Sequence, residues 1–290
     1  MQTVLITGAN SGIGRATAVH LAAAGHRVHA AMRDTGKAEK LLGLAGEAGC
    51  QVVPIALDVT RSESVERATA QVVSEAGGID VLINNAGIAF NATTEDIDID
   101  AAKVVFDTNY WGPIRCIKAV LPGMRERGAG HIVNVSSVAG RIAALAQGVY
   151  SASKWALECL SENLVQEVAS FGIRVSIIEP GVARTAILPK NVGSPEPTVY
   201  QAAYRRMNQF YLKGAVANVS ADEVARTIGQ ALTDPSPRLR YTCAWGGREL
   251  PEGRARMSDE EWVALGKATD DESYYKAFER LFGLDLRLPG

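Results

Sequence analysis

The sequence has few of the residues that would indicate a metal site or a disulfide framework. It contains four cysteines and four histidines among 290 residues, and no two cysteines form a Cys-x-x-Cys pair. This spacing argues against a zinc site, so we expect no bound metal, free and mostly buried thiols, and histidines with structural or solvated roles. The cysteines are Cys50, Cys116, Cys159 and Cys243.

Strong net charge and long apolar runs are also absent. The formal net charge is −2 and the isoelectric point is about 6.1, so nothing favours binding to nucleic acid or to an anionic membrane surface. No apolar stretch approaches the ~18 to 20 residues that a membrane span requires. The first residues lead directly into a strand-like run without the basic segment of a signal peptide. We therefore expect a cytoplasmic protein.

What is present is an alternation of short β-branched runs with longer helical patterns. The predicted strands are Thr3–Thr7, Arg27–Met32, Val52–Leu57, Val81–Asn84, His131–Ser136, Arg174–Glu179 and Leu239–Cys243. The predicted helices include Ile13–Ala24, Ser62–Glu75, Ala101–Arg127, Val149–Phe171 and Ala221–Thr233. Runs such as Val4–Ile6 are apolar throughout, as in strands covered by helices on both faces. The pattern predicts an α/β fold, a Rossmann-type doubly wound parallel sheet of about seven strands.

Two segments depart from the alternation. A proline-rich patch opens an excursion over about 189–219, and loops of that length inside a compact domain are usually functional. Residues 246–290 form a charged tail that we expect to be helical in two pieces beginning near Ser258 and Asp271, with a capping box from Ser258 to Glu261. We predict one domain over residues 1–245, with the excursion as a substrate lid, and a C-terminal extension over 246–290.

A glycine-rich turn follows the first predicted strand and opens the first helix. Glycines let the backbone approach a pyrophosphate, and the helix N-terminus offers free N–H groups. Because the turn has the strand–turn–helix context of a dinucleotide site, we interpret it as one, whereas glycines alone could form an ordinary turn. The candidate binding residues are Gly8, Asn10, Ser11, Gly12, Ile13 and Gly14.

The end of the second strand bears on which dinucleotide binds. A carboxylate there suits the ribose hydroxyls of NAD, and an arginine suits the additional phosphate of NADP. Met32 stands where we expect the carboxylate, and Arg33 follows it. The sequence therefore favours NADP(H), with Ser11 as a further phosphate contact, although Arg33 could be a solvated residue and Asp34 could serve NAD(H).

Two further segments lie at the carboxyl ends of predicted strands, where open α/β sheets bind ligands. Asp58 and Val59 follow the third strand, and Asp58 could accept a hydrogen bond from an adenine amino group. Asn85, Ala86 and Gly87 follow the fourth strand and would place small residues against a cofactor.

Tyr150 and Lys154 are the candidate acid–base pair. They are four residues apart on a predicted helix and therefore share one face. A free phenol, with a pKa near ~10, is a sluggish acid at neutral pH. We expect the neighbouring ammonium to lower that pKa, an effect that an oxidised nicotinamide would reinforce. Alone, such a pair could be a surface contact.

Taken together, these motifs resemble the short-chain dehydrogenase/reductase family over residues 1 to about 245. The shared motifs are Thr-Gly-x-x-x-Gly-x-Gly at 7–14, Asn-Asn-Ala-Gly at 84–87, Asn109, Ser137, Tyr-x-x-x-Lys at 150–154 and Pro-Gly at 180–181. The resemblance implies a hydride-transfer enzyme in which Tyr150 protonates the carbonyl oxygen and Ser137 holds it. It further implies that Lys154 binds the nicotinamide ribose, and that Asn109 lies in a helix kink that holds a proton-relay water. By the same resemblance Pro180, Gly181, Val182 and Thr185 line the nicotinamide.

The segment after the lid's proline patch offers two interpretations. Large apolar side chains recur there at near-helical spacing: Tyr200, Tyr204, Met207, Phe210, Tyr211 and Leu212. They could pack a helix on the domain or form the wall of a pocket for a bulky apolar substrate. Met-Arg-Asp at 32–34, Phe-Tyr-Leu at 210–212 and Ala-Leu-x-x-Pro-x-Pro-x-Leu-Arg-Tyr at 231–241 resemble the group of 17β-hydroxysteroid dehydrogenase type 1 and retinol dehydrogenases. That resemblance implies a steroid, retinoid or aryl-ketone substrate.

Other functions remain open at this point. A general carbonyl reductase is one, and a 3-oxoacyl-carrier reductase is another, although it favours a basic patch that the sequence lacks. A non-catalytic NADP-binding regulator need not keep Asn109, Ser137, Tyr150 and Lys154 together, and a sugar-nucleotide epimerase has a shorter glycine turn. The family resemblance also implies a homodimer through the two long helices, for which Trp155, Leu160 and Leu164 offer apolar surface, with the tail hindering a tetramer.

Overall fold

The computed structural model describes residues 1–185 and 198–288, and within these ranges it contains one parallel sheet of seven strands. The strands are β1 (Thr3–Thr7), β2 (Arg27–Met32), β3 (Val52–Ala56), β4 (Val81–Asn84), β5 (Gly130–Val135), β6 (Ile173–Pro180) and β7 (Arg240–Cys243). Their order across the sheet is β3-β2-β1-β4-β5-β6-β7, and every neighbouring pair is parallel. The predicted doubly wound fold is confirmed, and each predicted strand overlaps the observed one.

Helices cover both faces of this sheet. They are α1 (Gly12–Ala23), α2 (Glu39–Glu47), α3 (Ser62–Ala76), α4 (Ile99–Phe106), α5 (Gly112–Arg127), α6 (Gly148–Val168), α7 (Gln201–Val216) and α8 (Ala221–Thr233). One apolar cluster lies between the sheet and α1, α2 and α8, and a second lies between the sheet and α3, α5 and α6. Successive residues of one strand, such as Leu5 and Ile6, belong to different clusters on the two faces of the sheet. This explains why the strands are apolar throughout.

The strand order reverses between β1 and β4, which places a crevice at their carboxyl ends. β1 leads toward β2 and β3 on one side, and β4 leads toward β5, β6 and β7 on the other. Loops that leave neighbouring strands in opposite directions open a space between them, and ligands of doubly wound sheets bind there. The glycine turn after β1 and the Asn85 segment after β4 flank this crevice.

A π-helical turn interrupts the long helix predicted over 101–127. Residues Asp107–Trp111 form it, between α4 and α5, and Asn109 lies at its centre. The wider turn displaces the following residues around the helix, and Pro113 lies in the first turn of α5, where its missing N–H costs no helical hydrogen bond. Such turns are frequent at functional sites, and this one agrees with the kink that the family resemblance implied for Asn109.

The C-terminal extension contains three helices in its described part, not the two predicted. They are α9 (Glu249–Arg256), α10 (Asp259–Gly266) and α11 (Asp271–Phe282). The first of these was missed because it has little apolar periodicity of its own. The capping box is confirmed, since Ser258 Oγ accepts from the Glu261 N–H and the Glu261 side chain accepts from the Ser258 N–H.

The extension packs back onto the domain and onto α7. Tyr274, Phe278 and Phe282 lie one turn apart on α11 and form an apolar cluster with Val138 and Ile142, which follow β5. At its edge, the buried Arg206 of α7 donates to the Asp271 carboxylate at 3.0 Å and lies over the Tyr274 ring. The division of the chain at residue 245 stays a prediction, and Pro189, Gly193, Pro195 and Pro197 of the predicted lid lie outside the described residues.

Two expectations about burial are wrong. Leu164, predicted to be available for a dimer interface, is 3% exposed because it packs against the sheet. Of the four free thiols only Cys116 is buried, whereas Cys159 on the outer face of α6 is exposed.

In the part of the chain described here, no helix has the length and apolar character that crossing a bilayer requires. Over the same residues, no three His, Cys, Asp or Glu side chains come together as a metal site.

Candidate active site

A single cavity of about 800 Å³ joins most of the residues that the sequence singled out. It opens at the carboxyl ends of the strands, beside the reversal of strand order. The predicted site residues that line it are Gly8, Asn10, Ser11, Gly12, Ile13, Arg33, Asp58, Val59, Asn85, Ala86, Gly87, Ser137, Tyr150, Lys154, Pro180, Gly181, Val182 and Thr185. Gly14 and Asn109 do not line it and support its wall from behind.

The backbone angles and the close packing of the glycine turn require glycine at several of its positions. Gly8 and Gly12 have φ values of 68° and 51°, a region that glycine adopts without strain. At Gly14, a Cβ atom would lie 2.4 Å from both the Gly8 carbonyl oxygen and Asn85 Nδ2. Gly14 is therefore a packing residue that lets α1 begin directly against the turn, so that its N-terminal N–H groups face the cavity. The turn fits the pyrophosphate of a dinucleotide.

Thr7 and Asn85 hold this turn against the loop after β4. Thr7 Oγ1 accepts from the backbone N–H groups of Asn85 and Ala86 at 3.1 and 3.0 Å. Asn85 Nδ2 donates in return to the Thr7 carbonyl at 2.9 Å. The two sides of the crevice are thus joined across 78 residues of sequence. Thr7 was not among the predicted site residues, because it supports the site and does not line it.

At the end of β2, the cavity wall carries two cations and one carboxylate. Arg33 is exposed there, Lys37 and Asp34 line the cavity beside it, and Met32 also lines it although its side chain is almost fully buried. Asp34 is already engaged, since its Oδ1 accepts from the Gly36 N–H at 3.0 Å and its Oδ2 lies 3.6 Å from Lys37 Nζ. The contribution of Lys37 was missed, because nothing in the sequence shows that the turn after β2 folds back to the cavity.

Asp58, after β3, is used in a local turn. Its Oδ1 accepts from the Thr60 N–H at 3.0 Å and from the Thr60 hydroxyl at 2.8 Å. Burial alone would raise the pKa of this carboxyl, but the Thr60 hydrogen bonds, with Arg33 and Arg61 nearby, hold it below its ordinary value. Asp58 is therefore an anion that accepts hydrogen bonds at this end of the cavity.

Lys154 lies at the base of the cavity with its ammonium group almost out of solvent. It is 4% exposed, its Nζ donates to the carbonyl oxygen of Val135 at 2.9 Å, and it lies 5.8 Å from the centre of the Tyr150 ring. Burial lowers the pKa of Lys154 to about 8, against the nearby Glu158, which raises it. A lysine with this pKa changes its charge within the pH range of enzyme assays.

Tyr150 and Ser137 face each other across the cavity wall, and the predicted direction of the Tyr150 pKa is wrong in this structure. The surroundings of the phenol are desolvated, which raises its pKa, while a hydrogen bond with Ser137 lowers it by less. Ser137 Oγ also accepts from the Ala139 N–H at 3.1 Å, which orients it after β5. The expected lowering by Lys154 is not seen, because burial has the largest effect on this phenol and disfavours the phenolate.

Asn109 joins the π-helical turn to the cavity wall. Its Nδ2 donates to the Ile88 carbonyl at 2.9 Å and to Ser153 Oγ at 3.0 Å, and its Oδ1 accepts from the Ile88 N–H at 2.9 Å. A Cβ at Gly87 would meet Asn109 Oδ1 at 3.4 Å and Lys154 Nζ at 3.7 Å. Asn109 thus fixes the 87–88 segment beside Lys154.

The segment after β6 closes the cavity on the side of β7. Gly181 has no space for a side chain, since a Cβ would lie 2.0 Å from the Trp245 carbonyl oxygen. The Val182 N–H donates to that same oxygen at 2.9 Å. This pairing holds Pro180, Gly181 and Val182 at the wall, and Thr185 lies against Gly12 on the opposite side.

The far end of the cavity is largely apolar. Of the six large residues predicted on the lid helix, Met207, Phe210 and Tyr211 line it. Tyr204 is core, buried with its hydroxyl donating to Asp96 at 2.8 Å, and Leu212 is exposed on the outer face of α7. Tyr200 is also outside the cavity, with its hydroxyl on Glu95. The helix therefore packs on the domain and also forms cavity wall, since Met207 and Tyr211 belong to the same buried cluster as Tyr204 and line the cavity.

The C-terminal extension supplies the remaining wall, which sequence reasoning missed. The lining residues from it are Leu250, Trp262, Leu265, Gly266, Tyr274, Phe278 and Leu286. The i, i+4 spacing of Tyr274 and Phe278 indicated a buried helix face, but nothing in the sequence indicated what that face covers.

Comparison with other proteins places this arrangement among known ones. A family model for short chain dehydrogenases matches residues 2–194. Human retinol dehydrogenase 8 is 45% identical over 184 residues, which are 62% of this chain and 58% of that protein. Human 17-beta-hydroxysteroid dehydrogenase type 1 is 36% identical over 269 residues, 88% of this chain and 81% of that protein.

Solved structures give the same result. A short-chain dehydrogenase from Streptomyces avermitilis superposes with a TM-score of 0.79 at 33% identity, covering 93% of this chain and 99% of that one. A short-chain dehydrogenase/reductase from Burkholderia phymatum in complex with NAD has a TM-score of 0.76 at 26% identity, over 93% and 96% of the two chains. A metagenomic short-chain oxidoreductase in complex with NADP has a TM-score of 0.66 at 26% identity, over 83% and 95%. Similar proteins thus bind either nicotinamide dinucleotide.

Proposed function

The chain belongs to the short-chain dehydrogenase family, and we propose that it uses NADP(H) to interconvert a secondary alcohol and a ketone, or an alcohol and an aldehyde, on a bulky apolar molecule. Membership makes it an oxidoreductase that acts on CH–OH groups with a nicotinamide cofactor. The observation that carries the finer proposal is the shared cavity. The glycine turn, the Tyr150–Lys154 pair and an apolar chamber lie along one continuous space.

The positions of the residues support the following roles. Ser137 and Tyr150, which share a hydrogen bond, can both reach the oxygen of a carbonyl in the cavity. In reduction, the Tyr150 hydroxyl gives its proton to that oxygen while Ser137 donates a hydrogen bond to it. The Lys154 ammonium stabilises the phenolate that remains. When bound, the dinucleotide supplies the hydride, and the protein supplies orientation and the proton.

Removal of the Tyr150 hydroxyl tests this assignment. We expect Tyr150→Phe to lower kcat by ~10²-fold or more, because general acid catalysis is lost, and to leave NADPH binding nearly intact. Turnover and NADPH affinity are measured by absorbance and fluorescence. Tyr275→Phe, which removes a hydroxyl outside the cavity, is the matched control and should behave as the wild type. Activity of Tyr150→Phe within about tenfold of the wild type contradicts the assignment.

The choice of NADP over NAD is supported by the end of β2. A buried Met32 offers no acceptor for ribose hydroxyls, and the carboxylate of Asp34 already accepts from the Gly36 N–H and faces Lys37. Arg33 and Lys37 place two cations at the cavity, which suits an additional phosphate group. Ser11, in the glycine turn, also lines the cavity and offers a hydroxyl.

Exchange of these groups should shift the cofactor preference. Arg33→Ala combined with Met32→Asp should raise kcat/KM with NADH relative to NADPH, because the phosphate contact is lost and a carboxylate for the ribose is gained. Steady-state kinetics with both dinucleotides measure the ratio. Arg27→Ala, at the opposite end of β2, is the control for general loss of charge. A wild-type protein that already prefers NADH refutes the proposal.

The substrate class is supported by the far end of the cavity. Side chains from α7 and from the C-terminal extension surround it, and most of them are aliphatic or aromatic. Such a chamber excludes water from a large apolar molecule and leaves the polar groups at the Tyr150 end to orient the carbonyl. The names of the relatives, a retinol dehydrogenase and a steroid dehydrogenase, agree with a substrate of this size.

Truncation of the chamber wall tests the substrate class. Met207→Ala and Phe210→Ala should raise KM for large apolar ketones far more than for small ones, because only large substrates reach these side chains. A panel of ketones assayed for NADPH oxidation provides the comparison. Leu212→Ala, on the exposed face of the same helix, should leave both unchanged. Equal effects on large and small ketones would instead indicate an ordinary packing role.

We also propose that the protein is a homodimer through α5 and α6. With Leu164 committed to the core, Trp155, which is 50% exposed, is the principal apolar side chain that α6 offers a partner. Light scattering at micromolar concentration should give twice the mass of the chain, and Trp155→Glu should yield monomers. Val263→Glu is the control, because Val263 on α10 is exposed to a similar extent. A wild-type monomer refutes this proposal.

A further inference from the structure

Four charged side chains form a cluster near Lys154, and none of them lines the cavity. Glu158 is on α6, Glu179 on β6, Arg240 on β7 and Arg141 follows β5. The side chains of the two glutamates are 6% and 1% exposed. Burial of two carboxylates is costly unless both are paired, so their presence beside the candidate active site requires an explanation.

The two carboxylates are compensated unequally. Arg240 Nε lies 3.1 Å from Glu158 Oε2 and 3.0 Å from Glu179 Oε1. Arg141 Nη1 lies 3.1 Å from Glu179. Glu179 thus has two guanidinium partners. Glu158 has one, Arg240, and shares it with Glu179 and with the exposed Glu162.

The second oxygen of Glu158 faces the turn that carries the active-site serine. Glu158 Oε1 is buried and accepts no well-formed hydrogen bond from the described residues. The nearby Ser136 hydroxyl compensates only in part, so burial, reinforced by Glu179, raises the pKa of Glu158 to about 7. Packing is tight here, since a Cβ at Gly140 would lie 2.8 Å from Ser136 Oγ and 2.9 Å from Glu158 Cγ.

Glu158 is connected to Lys154 in two ways. It lies four residues further along α6, on the same face of the helix. The Lys154 ammonium also binds the carbonyl of Val135, and the next residue is Ser136, beside the Glu158 carboxyl. The negative charge of Glu158 raises the pKa of Lys154 against the burial that lowers it.

We propose that Glu158 is a positioning residue of the active site, whose buried carboxylate keeps the Lys154 ammonium charged and so sets the upper pH limit of carbonyl reduction. This inference rests on the proposed function, in which the charged Lys154 stabilises the Tyr150 phenolate. Arg240 holds the carboxylate in place, and Glu179, Glu162 and Arg141 complete its charged surroundings.

Glu158→Gln removes the negative charge with little change of shape. Lys154 then loses its counter-charge in a desolvated place and should release its proton at lower pH, by about one pH unit. In the pH profile of kcat for ketone reduction, the alkaline limb should shift to lower pH by the same amount. The value of kcat at low pH and the KM should change little. Glu162→Gln, which removes another carboxylate partner of Arg240, should leave the limb where it is.

The charge of Lys154 can also be followed without catalysis. In protein labelled with ¹³C at the lysine ε carbon and free of dinucleotide, the Lys154 signal is assigned by its loss in Lys154→Met. Its titration midpoint should fall in Glu158→Gln and stay unchanged in Glu162→Gln. Ser136→Ala, a smaller change that disfavours the Glu158 anion, should lower the midpoint less and serves if Glu158→Gln does not fold.

The two measurements separate this inference from the proposed function. An unchanged Lys154 midpoint in both Glu158→Gln and Ser136→Ala, or an equal shift in Glu162→Gln, overturns the role of Glu158. A wild-type protein that reduces no ketone overturns the proposed function, and the NMR midpoint alone then decides whether Glu158 controls the charge of Lys154.

Discussion

The hydrogen bond from the Lys154 ammonium to the carbonyl of Val135 is the interaction on which the site depends. It joins the first turns of α6 to the last residue of β5, and both Tyr150 and Ser137 are placed relative to that junction. A buried ammonium must have acceptors, because unpaired charge in a desolvated place is costly. The sheet provides one at the edge where its strands end, so the fold itself fixes the lysine. Asn109 and Gly87 complete the surroundings of the lysine from the opposite side.

Burial shifts the pKa values of three titratable groups near this bond. It lowers the pKa of Lys154, and it raises those of Tyr150 and Glu158, because each neutral form is favoured away from water. A buried lysine that has to stay charged needs a local anion to oppose this shift, since burial favours its neutral form. Glu158 is the anion that the described structure places to oppose the shift of Lys154.

The wall of the cavity is polar at one end and apolar at the other, and the physical reason differs between the two ends. Toward the strand ends it is formed by backbone, glycine and amide groups, since a polar ligand is held by N–H groups that must come close to it. Beyond Tyr150 it is formed by aromatic and aliphatic side chains of α7 and the C-terminal extension, which exclude water. Arg206, bonded to Asp271 and lying over Tyr274, ties the extension to α7 and so keeps this wall closed.

Local patterns in the sequence determined the fold and most of the candidate site. Strands buried on both faces must be apolar throughout, so the sheet was predictable. A glycine turn between β1 and α1 has few structural roles other than ligand binding, so most of the candidate site residues between Gly8 and Thr185 were predictable as well. The helix period likewise brings Tyr150 and Lys154 to one face.

What only the tertiary structure decided depends on contacts between distant segments. Periodicity did not distinguish Leu164, which faces the sheet, from Trp155, which faces outward. The sequence also did not show that the extension lines the cavity, or that Asp34 is engaged by its own turn. The direction of the Tyr150 pKa follows from desolvation, and the pairing of Glu158 with Arg240 joins residues 82 positions apart. Both are consequences of packing, which a chain reveals only when its elements are assembled.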